Sequence, residues 1–219
     1  MAAKKKVALT GSDQASAEIR LKRLVDITCE VAIVGLTPVI PHKWSQKSLQ
    51  MMPGHPDKPL VSPKKGRRNP KEEAEACVYR LPNGKPGIPA TAFKSAIIDA
   101  CRFFDKPSMK EAKLWFYVIG EGPDQLVEIK GKSILREDTP RNANGSADLR
   151  YRYAFDDWSA TLRIRFPEVC TDADSVAALV DAAGRCGVGD WRPSAPKSNT
   201  GTFGTWRADE HSKEASNGD

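Results

Sequence analysis

The sequence predicts an α+β fold in which helices cover one face of an antiparallel sheet, and three observations predict it. A long extended stretch before residue 40 is rich in Ile, Val and Leu. A second strand, WSATLRIRF, alternates strictly between apolar and polar residues, which is typical of a half-buried strand. The chain also contains two strand–helix–strand passages, and that order predicts a ferredoxin-like or RNA-recognition-motif-like sheet.

The predicted elements follow in order between residues 18 and 184. Residues 18–40 are expected to form one long strand or a strand pair, which Gly35 and Pro38 end or bend. Thr91 is expected to cap a helix that ends near Phe104. A second helix begins at Thr171 or Asp172 and is ended by Gly184. Further strands are predicted over Val78–Leu81, 113–119 and 126–135.

Composition limits the class of protein. Of the 219 residues, 40% are hydrophobic and 28% are charged, which is typical of a globular chain. We expect a flexible arm over residues 1–17, a single domain over 18–208 and a disordered tail over 209–219. The longest apolar run, Val31–Val39, is too short to span a membrane. No apolar signal segment follows the N-terminal lysines, so a cytoplasmic location is expected.

Cysteine and histidine usage predicts neither a metal site nor a cofactor. The five cysteines are scattered and form no C-x-x-C motif, so reduced, packed thiols are expected. The three histidines lie far apart in the sequence. A Walker loop, a dinucleotide-binding fingerprint and a G-x-S-x-G elbow are all absent from the sequence. The prediction is therefore a protein without cofactor and without metal.

Residues 41–75 differ from the rest of the chain. They contain many Pro, Gly and Lys residues, and Lys58–Lys71 is densely basic within a chain of formal charge +6. A long connection of this kind inside a domain is usually functional or disordered. Trp44 and the pair Met51–Met52 are expected to form either a hydrophobic latch or a small satellite core. A basic, thumb-like insertion is predicted here.

The segment Gly87–Arg102, GIPATAFKSAIIDACR, combines an extended Gly-Pro stretch with a helix start. The first N–H groups of a helix have no partner within the helix and attract phosphate. Lys94 and Arg102 add two cations to the same helix. Taken alone the signal is weak, because an ordinary helix start also explains the pattern.

The second segment, Gly184–Trp206, combines glycines with Trp191, Arg192, Lys197 and Phe203. Single-strand binders use amide donors and cations for phosphate, and flat rings for bases. This mixture predicts contacts to a single strand.

Together, GIPATAFKSAIIDACR and GRCGVGDWRPSAPKSNTGTFG resemble the repeat-associated mysterious protein superfamily of CRISPR systems. Ile88, Pro89, Lys94 and Arg102 match the helix-start motif of that superfamily. Gly187, Gly189, Gly201, Phe203 and Gly204 match its C-terminal glycine-rich loop. Ser95 departs from the family glycine, and the late loop is longer than usual. The resemblance covers residues 78–206.

The resemblance implies a backbone subunit that binds guide RNA and assembles along it, or a phage-encoded relative that binds single-stranded DNA. Its partners would be single-stranded RNA or DNA, copies of itself in a helical or linear assembly, and other subunits of a ribonucleoprotein complex. The candidate nucleic-acid-binding residues are His42, Lys43, Trp44, Lys47, Lys64, Lys65, Arg67, Arg68, Lys94, Arg102, Trp191, Arg192, Lys197 and Phe203. The candidate backbone contacts to phosphate are Ala90, Thr91, Gly187, Gly189, Gly201 and Gly204.

Other functions stay open at this point. His42 would serve as general base in a metal-independent ribonuclease. The carboxylate pairs Asp156–Asp157 and Glu137–Asp138 are candidate Mg²⁺ ligands, but neighbours in a strand point to opposite faces. A structural or inhibitory protein with this fold would bind a protein partner instead. A helix-turn-helix that reads duplex DNA lacks its sequence pattern and is the least favoured function.

Overall fold

A computed structural model describes residues 23–58, 68–140, 145, 147–196 and 199–209. The strands are β1 (Asp26–Gly35), β2 (Tyr79–Arg80), β3 (Pro86–Pro89), β4 (Tyr117–Ile119), β5 (Leu126–Glu128), β6 (Lys130–Asp138), β7 (Arg150–Pro167) and β8 (Trp206–Ala208). The helices are α1 (Gln46–Gln50), α2 (Pro70–Ala76), α3 (Ala90–Ala100), α4 (Met109–Trp115) and α5 (Ala173–Ala183). A 3-10 turn, Cys101–Phe103, follows α3.

The main sheet has the strand order β4-β7-β1-β8, and its pairs are antiparallel. Along the chain, α3 lies between β1 and β4, and α5 lies between β7 and β8. This is the β-α-β-β-α-β arrangement of a ferredoxin-like fold, with β2, β3 and β5 inserted as a small second sheet. The predicted α+β fold class is therefore confirmed by the topology.

Strand β7 is the centre of the sheet, and its C-terminal half alternates as predicted. Leu162, Ile164 and Phe166 are buried, whereas Arg163 and Arg165 are exposed on the open face. The helices pack on the buried face through their apolar stripes. These stripes consist of Phe93, Ala96, Ile97 and Ala100 of α3, and Val176, Leu179, Val180 and Ala183 of α5. One hydrophobic core results.

The N-terminal half of β7 pairs with β6 to form a long hairpin. The pairing is irregular between Lys130 and Lys132, and Asp157 has a positive φ of 46°. The prediction of one strand over 126–135 was wrong. Leu126–Glu128 pairs with β3 in the small sheet, whereas Lys130–Asp138 pairs with β7, so the chain crosses between sheets at Ile129.

Two other predicted elements also differ from the structure. Residues 113–115 belong to α4 and not to a strand, because Ser108 and Glu111 form a capping box that starts a helix at Met109. The segment 41–75 contains α1 and α2, and Asn69 caps α2 by accepting a hydrogen bond from the Lys71 N–H.

The two long helices begin and end close to the predicted positions. Helix α3 starts at Ala90 after Pro89, so the prediction that Thr91 caps it was wrong by two residues. Asp172 caps α5 through the Ser175 N–H, and Gly184 ends that helix, as predicted. The five cysteines are free thiols. Within the part of the chain that the structure describes, no helix is both long enough and apolar enough to cross a membrane.

Candidate nucleic-acid interface

A cleft of about 280 Å³ opens beside the N-terminal turn of α3. Three segments that are far apart in sequence meet there: the connection after β1, the β2–β3–α3 passage, and the loop after α5. Its lining residues are Pro41, His42, Tyr79, Ile88, Pro89, Thr91, Ala92, Ser95, Gly189, Asp190 and Arg192. A wider, open depression of about 550 Å³ lies beside α2 and is lined mainly by that one helix.

The start of α3 forms one wall of the cleft. Pro89 precedes the helix in extended conformation, and no side chain caps the N-terminal turn. Thr91 and Ser95 lie one turn apart, and both are exposed. Ala90, however, is buried, and its N–H donates to the Gln125 carbonyl at 2.8 Å. That donor is therefore already used within the chain, which weighs against the predicted phosphate contact at the Ala90 amide.

The loop after α5 forms the opposite wall, and it is held down by backbone hydrogen bonds. The Asp190 N–H donates to the Ile40 carbonyl at 2.9 Å, and the Gly204 N–H donates to the Pro38 carbonyl at 2.9 Å. Arg192 folds back so that its guanidinium donates to the Gly189 carbonyl at 3.0 Å. These bonds fix Asp190 and Arg192 at the rim of the cleft.

The glycines of this loop serve internal packing. A Cβ on Gly204 would lie 1.9 Å from the Val188 carbonyl oxygen, and one on Gly201 would lie 2.3 Å from that of Arg192. The amides of Gly187 and Gly204 donate to the carbonyls of Ala183 and Pro38. Both donors are therefore used within the chain, which weighs against the predicted phosphate contacts at Gly187 and Gly204. Gly189 lines the cleft, so its prediction stays open, as does that for Gly201.

The aromatic rings of the same loop are stacked by cations of the chain itself. Trp191 and Phe203 lie with ring centres 5.7 Å apart. The Arg136 guanidinium lies 5.0 Å from the Phe203 ring, and that of Arg152 lies 5.2 Å from the Trp191 ring. Arg136 and Arg152 face each other across the β6–β7 hairpin. This arrangement holds the loop on the hairpin, and a base that stacks on either ring must compete with it.

Behind the cleft, Arg152, Asp190 and His42 form a connected polar chain. Arg152 is only 2% exposed, and its guanidinium donates to the Asp190 carboxylate, with one further nitrogen lacking a partner among the described residues. Asp190 in turn accepts from His42 Nδ1 at 2.9 Å. Because Nδ1 is engaged, Nε2 is the ring nitrogen of His42 that is available to the cleft.

The Asp190 carboxyl is kept ionised by these neighbours. Burial raises its pKa, but the hydrogen bond from His42 and the charges of His42, Arg152 and Arg150 lower it, and the net pKa lies below the ordinary value of 3.8. The neighbouring phenol, Tyr79, has a pKa raised by burial, so it stays a hydroxyl donor. The cleft thus combines a fixed carboxylate with several donors.

Aromatic and basic side chains extend from the rim. The Trp44 ring stacks on His42 at 5.7 Å between centroids and is 54% exposed. The Lys43 ammonium lies 5.9 Å from the centre of the Tyr79 ring. His42, Lys43, Trp44 and Arg192 are therefore the predicted binding residues that the structure brings together.

Two other predicted residues lie away from the cleft. The Lys94 ammonium lies 4.5 Å from the Tyr117 ring centre, at the β4 edge of the sheet. Arg102 follows the C-terminal end of α3 and pairs with Asp99 at 3.6 Å. At about 1.5 Å of rise per residue, Arg102 lies roughly 16 Å along the helix axis from Thr91. Neither cation lines the cleft.

The basic insertion is described only in part. Arg68 forms a bidentate pair with Glu73 and lies 5.2 Å from the Tyr151 ring, so it attaches α2 to the hairpin. Residue 47 lies in α1. The Lys47 side chain and the predicted contacts at Lys64, Lys65, Arg67 and Lys197 lie outside the described residues.

The candidate carboxylates do not form a metal site. Asp157 is exposed, whereas Asp138 is buried and pairs with Arg136 at 2.9 Å. Over the ranges that the structure describes, three or more His, Cys, Asp or Glu residues do not gather as metal ligands.

Sequence reasoning missed four residues of this region: Tyr79, Arg136, Arg152 and Asp190. Arg152 lies in the pattern YRYAF, where alternation predicts an exposed cation. Only its packing under Trp191 makes it 2% exposed. Asp190 follows Gly189 in an ordinary turn sequence. The one signal in the sequence was the density of arginines between residues 136 and 152. Arg136 and Arg152 face each other across the hairpin.

Comparison with known proteins gives only a weak likeness to solved structures. No family model matches the chain, and no curated protein matches it. Among solved structures, the chain is similar to a chain in the cryo-EM structure of the Type III-B Cmr-beta bound to cognate target RNA. The identity is 12% and the TM-score is 0.44, over 84% of this chain and 59% of that chain. This chain thus spans less than two thirds of the other, and the fold assignment rests on the strand order itself.

Proposed function

We propose that this chain is a non-catalytic single-stranded nucleic-acid-binding protein that holds one part of the strand in the cleft and assembles with copies of itself along it. The observation that carries this proposal is the convergence of three segments around the cleft. Each of them supplies a different part of the binding chemistry: hydroxyls from α3, the Arg192 cation from the loop, and the exposed Trp44 ring from the connection after β1.

The size and lining of the cleft fit a nucleotide-sized group. Its 280 Å³ is close to the lower limit for ligand sites, roughly 300 Å³. The apolar side chains of Ile88 and Ala92 accompany the polar groups of Arg192, Ser95 and Thr91. Such a site accepts one unstacked nucleotide of a single strand, because the bases of a duplex are stacked and paired.

Trp44 supplies the stacking surface in this proposal. Its exposed ring is supported on one side by His42. A base stacked on such a ring contributes about 1–3 kcal/mol. We expect Trp44→Ala to weaken binding of a single strand about tenfold, and Trp44→Phe to retain most of the affinity. Equal loss in both variants would assign Trp44 a role other than stacking.

The proposal is tested by fluorescence anisotropy with labelled RNA, single-stranded DNA and duplex of equal length, at roughly 50 to 300 mM salt. We expect single strands to bind more tightly than the duplex, with an affinity that falls steeply with salt. Complexes that grow with oligonucleotide length in size-exclusion chromatography would support assembly along the strand. Absence of binding to all three ligands at low salt would refute the proposal and favour a protein-binding relative of the fold.

A second candidate function rests on the His42–Asp190 pair. Asp190 accepts from His42 Nδ1, so His42 Nε2 would be free to act as general base on a ribose 2′-hydroxyl of RNA bound in the cleft. A metal-independent ribonuclease would then cleave RNA in EDTA, and His42→Ala would abolish cleavage. Our main proposal expects no product from RNA that stays bound. If RNA is cleaved and His42→Ala abolishes the cleavage, the function of the protein is catalysis and not binding alone.

A further inference from the structure

Apolar side chains are exposed at the end of the domain that lies opposite the cleft. At that end, Pro167 of β7 faces Asp26 of β1, and Tyr117 of β4 faces Arg165 of β7. Helix α4 immediately precedes β4, and α5 follows β7 after a short turn. The region around both connections is therefore remote from the start of α3, where the cleft opens.

The first surface at this end, the basic patch, comprises Phe103, Phe104, Lys110, Lys113 and Leu114. Its apolar members are exposed, Leu114 by 71%. Lys110 and Lys113 form no ion pair with any residue that the structure describes. The neighbouring cations are already paired, Arg102 with Asp99 and Lys106 with Glu111. In the connection between α3 and α4, Asp105 is the acidic residue without an ion-pair partner among the described residues.

The second surface, the acidic patch, comprises Leu24, Val25, Glu168, Val169 and Asp174. The Glu168 N–H donates to the Val25 carbonyl at 2.9 Å, which brings the two parts of the chain together. Val169 is 76% exposed. Within the described ranges Glu168 and Asp174 have no ion-pair partner, and Arg23 is the neighbouring cation.

These two patches are complementary in charge, and each has an apolar centre. Grouped exposed apolar residues rimmed by charges mark protein contact sites, and opposite charges select the partner. We infer that a second copy of this chain docks on this end, with the basic patch of each copy on the acidic patch of the other. Because both patches lie at one end, the two contacts form together around a twofold axis. The two clefts then face apart, so this pairing is a contact separate from the proposed assembly of copies along a strand.

This pairing needs no nucleic acid, so it stands independently of the proposed function. Sedimentation velocity of the nuclease-treated full chain across a concentration series tests it. We expect the mass to rise from 24.0 kDa towards twice that value. The variants Lys110→Glu/Lys113→Glu and Glu168→Lys/Asp174→Lys should each associate about tenfold more weakly, because like charges then meet. An equimolar mixture of the two variants should associate again.

Lys130→Glu/Lys132→Glu is the matched control. It changes the net charge by the same amount on exposed residues of β6, and association should stay as in the wild type. Leu114→Ser tests the apolar centre at a small folding cost, since the side chain is already exposed, and it should weaken association. A wild-type chain that stays monomeric, or association unaffected by the charge reversals, would overturn the inference, as would a mixture of folded variants that fails to associate. If the charge-reversal variants bind single strands as tightly as the wild type in anisotropy titrations, failure of the pairing is distinguished from failure of the binding proposal.

Discussion

The start of α3 and the loop after α5 were both predicted to grip phosphate through their backbones, yet the structure uses them differently. At α3, no side chain caps the first turn, and Thr91 and Ser95 face the cleft. In the loop, the Gly187 and Gly204 amides are bonded internally, and Trp191 and Phe203 are stacked by arginines. A glycine-rich segment is thus equally typical of close internal packing and of ligand approach.

The physical reason is that glycine has no Cβ, so another backbone can approach it closely. Whether the approaching atom belongs to a ligand or to the same chain is decided by the surroundings. At Gly204 that atom is the Val188 carbonyl oxygen. The loop is therefore a rigid support that presents Asp190 and Arg192. Its packing can be tested by measuring stability, and its role at the cleft by measuring binding.

The largest effect is expected for Gly204→Ala. Gly204 has a φ of +67°, and its Cβ would lie 1.9 Å from the Val188 oxygen. Strain and backbone displacement together should lower the free energy of unfolding by about 4 kcal/mol, measured by urea denaturation. Gly84→Ala is the control: its φ is +80°, but nothing lies within 4 Å of the added Cβ. That variant should lose only about 1 kcal/mol. Equal losses would contradict the role of internal packing.

Removing the buried cation behind the cleft should have the next largest effect. Arg152→Met leaves Asp190 without its buried partner and removes the cation from the Trp191 ring. Breaking such a pair costs about 3 kcal/mol. Arg163→Met, on the exposed face of the same strand, should change stability by less than about 0.5 kcal/mol. A similar loss of stability in both variants, measured by thermal or urea unfolding, would show that the buried Arg152–Asp190 pair does not hold the loop.

Binding should distinguish Arg192 from Arg102. Arg192 lies at the cleft, whereas Arg102 lies beyond the far end of α3. Arg192→Ala should weaken single-strand binding about tenfold and reduce the slope of log affinity against log salt by about 1. Arg102→Ala should leave both quantities unchanged. Anisotropy titrations of the two variants measure this directly, and a larger loss in Arg102→Ala would move the interface away from the cleft.

The smallest effect concerns acid. The pKa of Asp190 in the folded protein lies below 3.8, so the ionised carboxylate stabilises the fold at pH above 3.8. This contribution is lost as the pH falls below 3.8 and passes through the folded pKa. Asp190→Asn should therefore be less stable than the wild type near neutral pH, and the difference should shrink in acid. A constant difference from pH 7 to pH 3 would contradict this assignment.

Much of the fold followed from local patterns. The alternation of WSATLRIRF correctly predicted which side chains of β7 are buried, and Asp172 and Gly184 correctly bounded α5. Patterns failed where two elements share one apolar run. Residues 126–135 look like a single strand, but Ile129 passes from one sheet to another. In α4, the Ser108–Glu111 capping box outweighed a run of strand-forming residues.

The candidate site was predicted in parts and assembled only by the fold. The sequence alone determined the fold class, through the period of its apolar residues, and identified His42, Trp44, Thr91 and Arg192 as separate candidates. Periodicity is a local property, so it carries over to the structure. Which residues meet depends on contacts between remote segments: Ile40 with Asp190, Arg152 with Trp191, Gly204 with Val188. Only the tertiary structure decided that the late glycines support the cleft from within, because their neighbours come from other parts of the chain.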